Sequence, residues 1–255
     1  MSVDLRRDDG IATITISNPE RKNAVDAPAA EEMADHVHEV AHDDDVRCVV
    51  VTGEGDAFCS GLDLAGDMGI GSPAAELENG LNAIAMGLMR MEKPTVARVR
   101  GAAVGAGASL ATACDFVYVE EGGFFQWGFT DLGLAPDTGA TYVLPRLVGV
   151  RKALELLVLG DRISAEEAVD LGVANEVVPA EEFDEYVAER AETLAGRPTL
   201  AVAAAKRLVY RSHHRAMEET LREEAIAQED MIDSQDFAEG VSAFMADREP
   251  EFEGR

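Results

Sequence analysis

Two glycine-rich segments in the first half of the chain could present backbone N–H groups to a bound anion. Residues 53–63 and residues 101–107 each follow a predicted β-strand, and ligands collect at such strand ends in α/β proteins. Residues 101–107 also open a predicted helix, whose N-terminal dipole favours developing negative charge. Neither segment has the Gly-Lys-Ser/Thr ending of a nucleotide phosphate loop. Taken singly, each segment is explained as well by tight turns and close helix packing.

Histidine and cysteine residues show no metal-binding motif. His38 and His42 share a helical face at i and i+4, but no suitable third ligand accompanies them, because residues 43–45 form a solvated acidic run at a helix end. The cysteines are odd in number and lack Cys-x-x-Cys spacing, which favours reduced thiols in a cytoplasm over a disulfide framework. These residues are Cys48, Cys59 and Cys114. We expect a cytoplasmic protein without a metal.

The charge of the chain argues against two classes of partner. Its 255 residues include 49 acidic and 22 basic side chains, for a formal net charge of −27, so nucleic acid and anionic membranes would repel it. Only four of the basic residues are lysines, which suggests either a high-salt cytoplasm, where screening shortens charge repulsion, or simply an acidic protein. The N-terminus has no basic segment followed by an apolar one, so we expect neither secretion nor membrane insertion.

Alternating strand and helix patterns predict the scaffold that positions these segments. Apolar residues alternate over 11–16 after an Asp9-Gly10 turn, as in the second strand of a hairpin. Residues 46–52 are largely apolar, as in a strand covered on both faces. The predicted strands are 3–5, 11–16, 46–52, 95–99, 116–119 and 177–178. The predicted helices are 26–42, 73–91, 105–113, 151–159, 164–171 and 179–194. This alternation predicts an α/β core.

Helical patterns dominate after residue 148. Ser164 and Glu167 have the spacing of a capping box, and Gly196-Arg197-Pro198 interrupts the chain before a charged helical tail. We therefore divide the chain into a core, residues 1–195, and a C-terminal helical region, residues 196–255. We expect the C-terminal region to pack on the core or on a neighbouring subunit.

A series of short motifs surrounds the glycine-rich segments. The motifs are residues 18–24, Gly61-Leu62-Asp63, Lys93-Pro94 ahead of Gly101, Cys114-Asp115, residues 133–137, Leu144-Pro145-Arg146 and Val148-Gly149. In order and spacing this series resembles the enoyl-CoA hydratase/isomerase (crotonase) superfamily over roughly the first 180 residues. The resemblance implies an α/β spiral of ββα units with a helical C-terminal region. It also implies homotrimers or dimers of trimers that act on acyl-CoA thioesters, with coenzyme A as part of the substrate and no separate cofactor.

The resemblance gives the two glycine-rich segments a role. Enzymes of this family form an enolate from a thioester, and two backbone N–H groups stabilise the enolate oxygen. By position these donors are Leu62 and Ala106, where Ala106 replaces a more usual glycine. The acyl end would be lined by helical segments such as residues 73–90. The implied substrate contacts are Arg21, Lys22, Ala24, Gly61, Leu62, Asp63, Leu64, Ala106, Phe129 and Pro136.

The proton-transfer residue distinguishes the reactions within the family. Typical hydratases resemble one another in two glutamates that hold a water, and the matching positions here are Ser109 and Phe129. Neither side chain is a carboxylate that could act as a general acid or base. Asp137, directly after Pro136, resembles instead the single catalytic aspartate of isomerases, including the ring-epoxide isomerase branch of phenylacetyl-CoA breakdown. Asp131 is a second candidate acid.

The resemblance therefore favours isomerisation of a double bond or ring epoxide, with Asp137 as proton shuttle. Trp127, Phe129 and Leu134 would remove water from Asp137 and raise its pKa, whereas an Asx turn is the structural alternative for this residue. An enoyl-CoA hydratase and a non-catalytic CoA-ester-binding protein are the alternative functions. A chlorobenzoyl-CoA dehalogenase is disfavoured, because that branch requires a helical histidine near the position of Met86.

Overall fold

Among residues 1–63 and 73–255, which a computed structural model of the protein describes, the strands form two β-sheets. The strands are β1 (Ser2–Asp8), β2 (Ile11–Ser17), β3 (Cys48–Gly53), β4 (Ala57–Cys59), β5 (Thr95–Val99), β6 (Ala102–Val104), β7 (Phe116–Glu120), β8 (Phe124–Gln126), β9 (Ile163–Ser164) and β10 (Glu176–Val178). The helices are α1 (Ala27–Ala41), α2 (Pro73–Asn79), α3 (Leu81–Arg90), α4 (Ala106–Ala113), α5 (Ala140–Leu159), α6 (Ala165–Asp170), α7 (Phe183–Ala195), α8 (Thr199–Ser212), α9 (Met217–Ile232) and α10 (Gln235–Ala246).

The larger sheet has the strand order β1-β2-β3-β5-β7-β10. β1 and β2 form the predicted antiparallel hairpin, and the other neighbours pair in parallel. Val49 and Val51 of β3 face a buried cluster that includes side chains of α1, α3 and α4. Cys48 and Val50 face a second cluster, which includes side chains of α7. Burial on both faces explains the apolar sequence of β3 and confirms the prediction for this strand.

The smaller sheet, with the strand order β4-β6-β8-β9, is not predicted by the sequence. β4, β6 and β8 have three residues each, so their apolar patterns are too short to indicate a strand. β4 and β6 lie inside the glycine-rich segments. Each of these three strands directly follows a longer strand of the larger sheet, in the pairs β3–β4, β5–β6 and β7–β8. With the helices that follow, these pairs confirm the spiral of ββα units.

Most predicted helices are present, and two of them begin with the predicted caps. Asp26 caps α1 by accepting a hydrogen bond from the N–H of Ala29 at 3.0 Å. Ser164 and Glu167 form the complete capping box of α6.

Three helix boundaries differ from the predictions. Residues 73–91 form two helices, because Gly80 adopts non-helical backbone angles. α5 begins at Ala140 rather than at 151, because a helical stretch that includes Pro145 precedes the predicted one; Gly149, with the non-helical angles φ +76° and ψ 160°, separates the two stretches. α7 begins four residues after the predicted start, at Phe183.

The C-terminal helices contact the core of their own chain. Lys206 of α8 is buried and forms an ion pair with Asp115 at 2.7 Å, and the hydroxyl of Tyr210 donates to the other carboxylate oxygen at 3.1 Å. Arg47 of the core donates to the carbonyl oxygen of Phe252 at 2.8 Å. The division of the chain at the end of α7 stays a prediction. Within the two described ranges, no helix has the length and apolar character needed to cross a membrane.

Candidate active site

The two glycine-rich segments lie side by side because β4 and β6 are parallel neighbours in the smaller sheet. A Cβ on Gly61 would lie 3.0 Å from the carbonyl oxygen of Val104 and 3.5 Å from the amide nitrogen of Ala106. Gly61 also has a φ of +94°, which side chains other than that of glycine rarely adopt. Glycine at position 61 therefore allows the backbone next to Leu62 to approach the start of α4.

The N–H of Leu62 points away from Val25, the residue with which Leu62 forms an isolated β-bridge. Val25 donates its N–H to the carbonyl oxygen of Gly61, and Asp63 donates its N–H to the carbonyl oxygen of Val25, both at 2.8 Å. These two bonds flank Leu62 in a parallel bridge, in which the intervening residue directs its own N–H to the opposite side. Among the described residues, none accepts a hydrogen bond from this N–H.

The N–H of Ala106 is the first of helix α4. Such N–H groups have no acceptor inside the helix, and the residue before it, Gly105, has no side chain to cap it. Gly105 carries the positive φ of this turn, +56°, so the alanine at position 106 needs no unusual backbone conformation. The replacement of the more usual glycine therefore leaves the donor in place. The structure places Gly61, the residue before Leu62, against the start of α4 at Ala106. The role of the Leu62 and Ala106 N–H groups as donors to one thioester oxygen stays a prediction.

Asp137 lies in the loop between the 3₁₀ turn Thr130–Leu132 and α5, and its side chain is half-buried. Burial raises the pKa of this carboxyl group, while a hydrogen bond from the hydroxyl of Thr138, at 2.8 Å, acts in the opposite direction. No backbone N–H of the described residues donates to the carboxylate, so Asp137 does not form the Asx turn considered above. Its neighbour Thr138 is buried with a φ of +52°, a strained conformation of the kind found at functional sites.

The apolar residues predicted around Asp137 differ in their burial. Trp127 and Phe129 are buried, Pro136 is half-buried, and Leu134 is exposed. The second candidate acid, Asp131, is exposed. A Cβ on Gly160 would lie 2.9 Å from a carboxylate oxygen of Asp131, so Asp131 faces the end of α5 rather than its beginning, where Asp137 lies.

The two positions that hold glutamates in hydratases carry no acid. Ser109 is fully buried inside α4, and its hydroxyl donates to the carbonyl oxygen of Gly105 at 3.1 Å. Phe129 contributes only a buried ring. A water held between these two positions would have no carboxylate to polarise it.

The predicted CoA contacts occupy the segment that precedes α1 and the segment that follows β4. Arg21 forms an ion pair with Asp63 at 2.7 Å, and Lys22 forms one with Asp56 at 2.6 Å. Both basic side chains are exposed, which leaves them accessible to a phosphate. The neighbouring small residues Ala24 and Gly61 are buried. Leu64 lies outside the described residues.

Asn23 has a structural role at the site that was not inferred from the sequence. It is fully buried, and its side-chain N–H₂ donates to the carbonyl oxygens of Ala57 at 2.7 Å and Glu54 at 2.9 Å. Asn23 thereby ties the CoA-contact segment to the start of β4. Its φ of +57° is tolerated better by asparagine than by most residues, and this preference in the motif 18–24 was the available signal.

A cavity of about 870 Å³ adjoins the Asp137 loop. Gly139, two residues after Asp137, lines it together with Met86 and Met89 of α3 and with residues of α8. The contribution of α3 agrees with the prediction that residues 73–90 line the acyl end, which stays a prediction. Within the described ranges, no group of histidine, cysteine, aspartate and glutamate side chains could hold a metal ion.

Comparison with known proteins decides the family. A family model described as enoyl-CoA hydratase/isomerase matches residues 6–255, nearly the whole chain. The chain belongs to the enoyl-CoA hydratase/isomerase family.

Individual relatives of this family match the chain along its length. It is 37% identical over 254 residues to the probable enoyl-CoA hydratase of Rhodobacter capsulatus, with 97% of this chain and 96% of that protein covered. It is 35% identical over 252 residues to the 1,2-epoxyphenylacetyl-CoA isomerase of Escherichia coli, with 96% of each covered. The solved structure of an enoyl-CoA hydratase from Bacillus anthracis has a TM-score of 0.92 at 29% identity, with both chains covered completely.

As a member of this family the protein is an enzyme that acts on CoA thioesters. Its relatives are named both as hydratases and as isomerases. The choice between these reactions therefore depends on the acid–base residues of this chain.

Proposed function

We propose that the protein isomerises a double bond, or a ring epoxide, in an acyl-CoA thioester, with Asp137 as the residue that moves the proton. One observation carries the proposal. Asp137 is a half-buried carboxyl group with a raised pKa beside the start of α5, while Ser109 and Phe129 leave the hydratase positions without an acid. An isomerase needs one group that takes and returns a proton, whereas a hydratase must also activate a water.

The first part of the proposed mechanism is stabilisation of the enolate. The thioester oxygen accepts hydrogen bonds from the N–H groups of Leu62 and Ala106 as negative charge develops on it. The N-terminal dipole of α4 acts in the same direction, because Ala106 is the first residue of that helix. Loss of one donor of this kind typically lowers kcat by about 10²–10³.

The second part is transfer of one proton between two carbons. For a 3-enoyl thioester, the Asp137 carboxylate removes a proton from C2, and the electron pair delocalises over the thioester oxygen, C2 and C4. The protonated Asp137 then delivers the proton to C4, so the double bond moves to C2–C3 and no water is consumed. A carboxyl group with a raised pKa is the stronger base in the first step and retains the proton for the second.

The CoA portion of the substrate would lie along the segment before α1. In the proposal, Arg21 or Lys22 meets the phosphates after releasing Asp63 or Asp56, and Ala24 with Gly61, Leu62, Asp63 and Leu64 contacts the adenine and pantetheine. Both ion pairs are exposed, and exposed pairs contribute only about 0–1 kcal/mol, so their exchange for a phosphate is inexpensive. Phe129 and Pro136 would contact the acyl group beside Asp137.

The reaction can be tested with two thioesters supplied separately. We expect a cis-3-enoyl thioester to be converted to its conjugated trans-2-isomer, and a trans-2-enoyl thioester to give no 3-hydroxyacyl product. Asp137→Asn should lower the isomerisation rate by about 10²–10⁴, the usual contribution of a positioned acid–base group. Asp131→Asn, which removes an exposed aspartate of the same loop region, should have no effect. Isomerisation at the wild-type rate by the Asp137→Asn variant would rule out the proton shuttle.

Hydration is the second candidate, favoured by the similarity to the hydratase of Rhodobacter capsulatus. Rapid formation of 3-hydroxyacyl product from the trans-2-enoyl thioester would support it over isomerisation. The third candidate, a protein that binds CoA esters without reaction, is distinguished by deuterium exchange. A saturated acyl-CoA should gain deuterium at C2 in heavy water if the enzyme forms an enolate, and should gain none if it only binds.

A further inference from the structure

The 870 Å³ cavity next to the Asp137 loop has an unusual charge for this protein. The chain carries 49 acidic and 22 basic residues, yet the cavity is lined by four basic side chains and one acidic one. These residues are Arg90, Lys206, Arg207, Arg211 and Glu92. A cavity that concentrates cations against the overall charge of the molecule favours an anionic ligand.

The four cations do not have equal freedom to bind a ligand. Lys206 is occupied by the core, because it is buried against Asp115 at 2.7 Å and also donates to the carbonyl oxygen of Leu88 at 2.8 Å. Arg207 is 3.2 Å from Glu92 in a partly exposed pair, and Arg211 is 3.9 Å from Glu223. Arg90, at the end of α3, is exposed, and no carboxylate of the described residues lies within ion-pair distance of it. Arg90 is therefore the cation best placed to bind a ligand, with Arg207 beside it.

The rest of the lining mixes polar side chains, which are Asn82, Tyr142, Tyr210 and His214, with an apolar surface from α3. Met86, Met89 and Ala85 of α3 contribute hydrocarbon surface, and Gly139 joins the cavity to the Asp137 loop. On α3, Arg90 lies one helical turn after Met86, so an acyl chain packed against Met86 could reach the guanidinium group with its end. Apolar surface and guanidinium groups in one cavity match a hydrocarbon chain that ends in an anion.

We propose that this cavity selects acyl groups whose far end carries a carboxylate, which Arg90 and Arg207 bind. The proposal rests on the isomerase or related CoA-thioester activity proposed above, since it names the substrate class of the same site. Arginine is suited to this role because its planar guanidinium binds a carboxylate through two parallel hydrogen bonds.

The phosphates of CoA are the other anions that could reach these arginines. The predicted CoA contacts, however, lie on residues 21–24 and 61–64, whereas the cations of the cavity lie on α3 and α8. Met86 and Gly139 also place the apolar part of the cavity beside the acid that acts on the acyl carbons. The structure therefore favours the end of the acyl group over the phosphates as the ligand of Arg90.

The test compares two unsaturated thioesters of equal chain length, one ending in a methyl group and one in a carboxylate. We expect the wild-type kcat/KM to be at least about tenfold higher for the carboxylate-ended thioester. Arg90→Met should lower that value by roughly tenfold to a hundredfold, the effect of losing a hydrogen bond to a charged group. The same variant should leave the methyl-ended thioester unchanged, and Arg90→Lys should retain part of the preference. Arg207→Met should also reduce the preference for the carboxylate-ended over the methyl-ended thioester.

Arg6→Met is the matched control, because it makes the same change of charge at an exposed position of β1. It should leave the preference intact. Titration calorimetry with the two saturated thioesters and with free CoA measures binding affinity without turnover. Failure of the proposed reaction can therefore be distinguished from failure of the proposed carboxylate binding. Equal affinity of the wild type for both saturated thioesters would overturn the proposal, as would an equal loss of affinity for free CoA in Arg90→Met.

Discussion

At the scale of single residues, the proposed mechanism assigns roles to two backbone N–H groups and to one half-buried carboxyl group, that of Asp137. Thr138 donates a hydrogen bond to Asp137 that a neutral amide at position 137 could still accept. Replacement of Asp137 by asparagine therefore removes the charge with little change in shape. This makes the residue suitable for separating its catalytic role from its effect on stability.

The raised pKa of Asp137 predicts a specific pH dependence of stability. Because the folded state binds this proton more tightly than the unfolded state, the carboxyl group lowers the free energy of unfolding as pH rises from the ordinary pKa of about 3.9 through the raised value. Above the raised pKa, the reduction in the free energy of unfolding stays constant. Asp137→Asn should therefore be more stable than the wild type at pH 7 and nearly equal to it at pH 3, as measured by urea unfolding at each pH. The wild-type kcat/KM should also fall on the acid side at a pH above the ordinary carboxyl value.

Asp131→Asn serves as the comparison, since Asp131 is exposed in the same part of the chain. It should change neither the unfolding free energy at pH 7 nor the acid limb of the activity profile. Destabilisation of Asp137→Asn at pH 7 would contradict the assignment of a desolvated carboxylate.

Gly61 predicts a second effect at this scale. A Cβ there would press on the carbonyl oxygen of Val104 and lie 3.5 Å from the amide nitrogen of Ala106, and the φ of +94° adds backbone strain. Gly61→Ala should therefore lower kcat by at least about tenfold through displacement of one donor, besides destabilising the fold by about 1 kcal/mol. Steady-state kinetics and urea unfolding measure the two effects.

Gly122→Ala separates the strain from the displacement. Gly122 has a similar φ of +84°, but a Cβ there would meet nothing within 4 Å. The variant should show the loss of stability and keep full activity. An equal loss of activity in both variants would mean that Gly61 has no special relation to the reaction.

At the scale of secondary-structure elements, α8 is attached to the core by a buried ion pair. Lys206 and Asp115 are both largely buried, and Asp115 also accepts hydrogen bonds from Thr95 and Tyr210. Since α8 lines the cavity next to α3, this attachment also fixes the width of the proposed acyl cavity.

Removing one partner of the pair should have a large effect on stability. Lys206→Met leaves the Asp115 carboxylate buried without its counter-charge, so we expect the free energy of unfolding to fall by about 3–5 kcal/mol. Lys152→Met removes a lysine from an exposed i, i+3 pair with Glu155 and should cost no more than about 0.5 kcal/mol. Urea unfolding of the two variants provides the measurement. A similar small loss in both would show that α8 is not held by this pair.

The elements also show which parts of the fold could be predicted from the sequence. Strands β2, β3, β5 and β7 and the capped helices α1 and α6 were predicted close to their observed bounds, because hydrophobic periodicity and capping act locally. The strands of the smaller sheet could not be predicted, since three residues carry no period and their pairing is decided by neighbours distant in the chain. The first stretch of α5 was not predicted, because Pro145 within it predicts an end, whereas Gly149 does interrupt the helix before the predicted residues 151–159.

The candidate site also has features that could be predicted from the sequence and features that could not. The resemblance of the motifs predicts roles for Leu62, Ala106 and Asp137; the structure places Gly61, next to Leu62, against the start of α4 and Asp137 in a half-buried loop. The cationic cavity could not be predicted, because Arg90 and Arg207 are separated by more than a hundred residues and meet only when α3 packs against α8. The burial of Trp127 and Phe129 but not of Leu134 likewise depends on the folded loop.

At the scale of the whole molecule, α5 carries an exposed apolar stripe beyond its bend. Val150, Leu154 and Val158 follow one another at i and i+4 spacing and are 65%, 55% and 56% exposed. A contiguous apolar surface of this kind is typical of a protein interface. We propose that it contributes to the homotrimer, or dimer of trimers, that the family resemblance implies.

This proposal predicts a change of mass in solution. The wild type should have three or six times the mass of one chain in analytical ultracentrifugation, and Leu154→Glu should shift the population to smaller species, because the added charge would be buried in the interface. Thr193→Glu adds the same charge to an exposed position of α7 and should leave the mass unchanged. A monomeric wild type would contradict the proposal.

The close contact of Gly61 with the start of α4 has a consequence for how such an enzyme can diversify. In the proposed mechanism the two hydrogen-bond donors are main-chain amides, which every amino acid except proline supplies, so substitutions at positions 62 and 106 that the packing tolerates would keep both donors. Heritable change would then fall mainly on the walls that meet the acyl group. The enzyme could then come to accept a different acyl group while its reaction stayed the same.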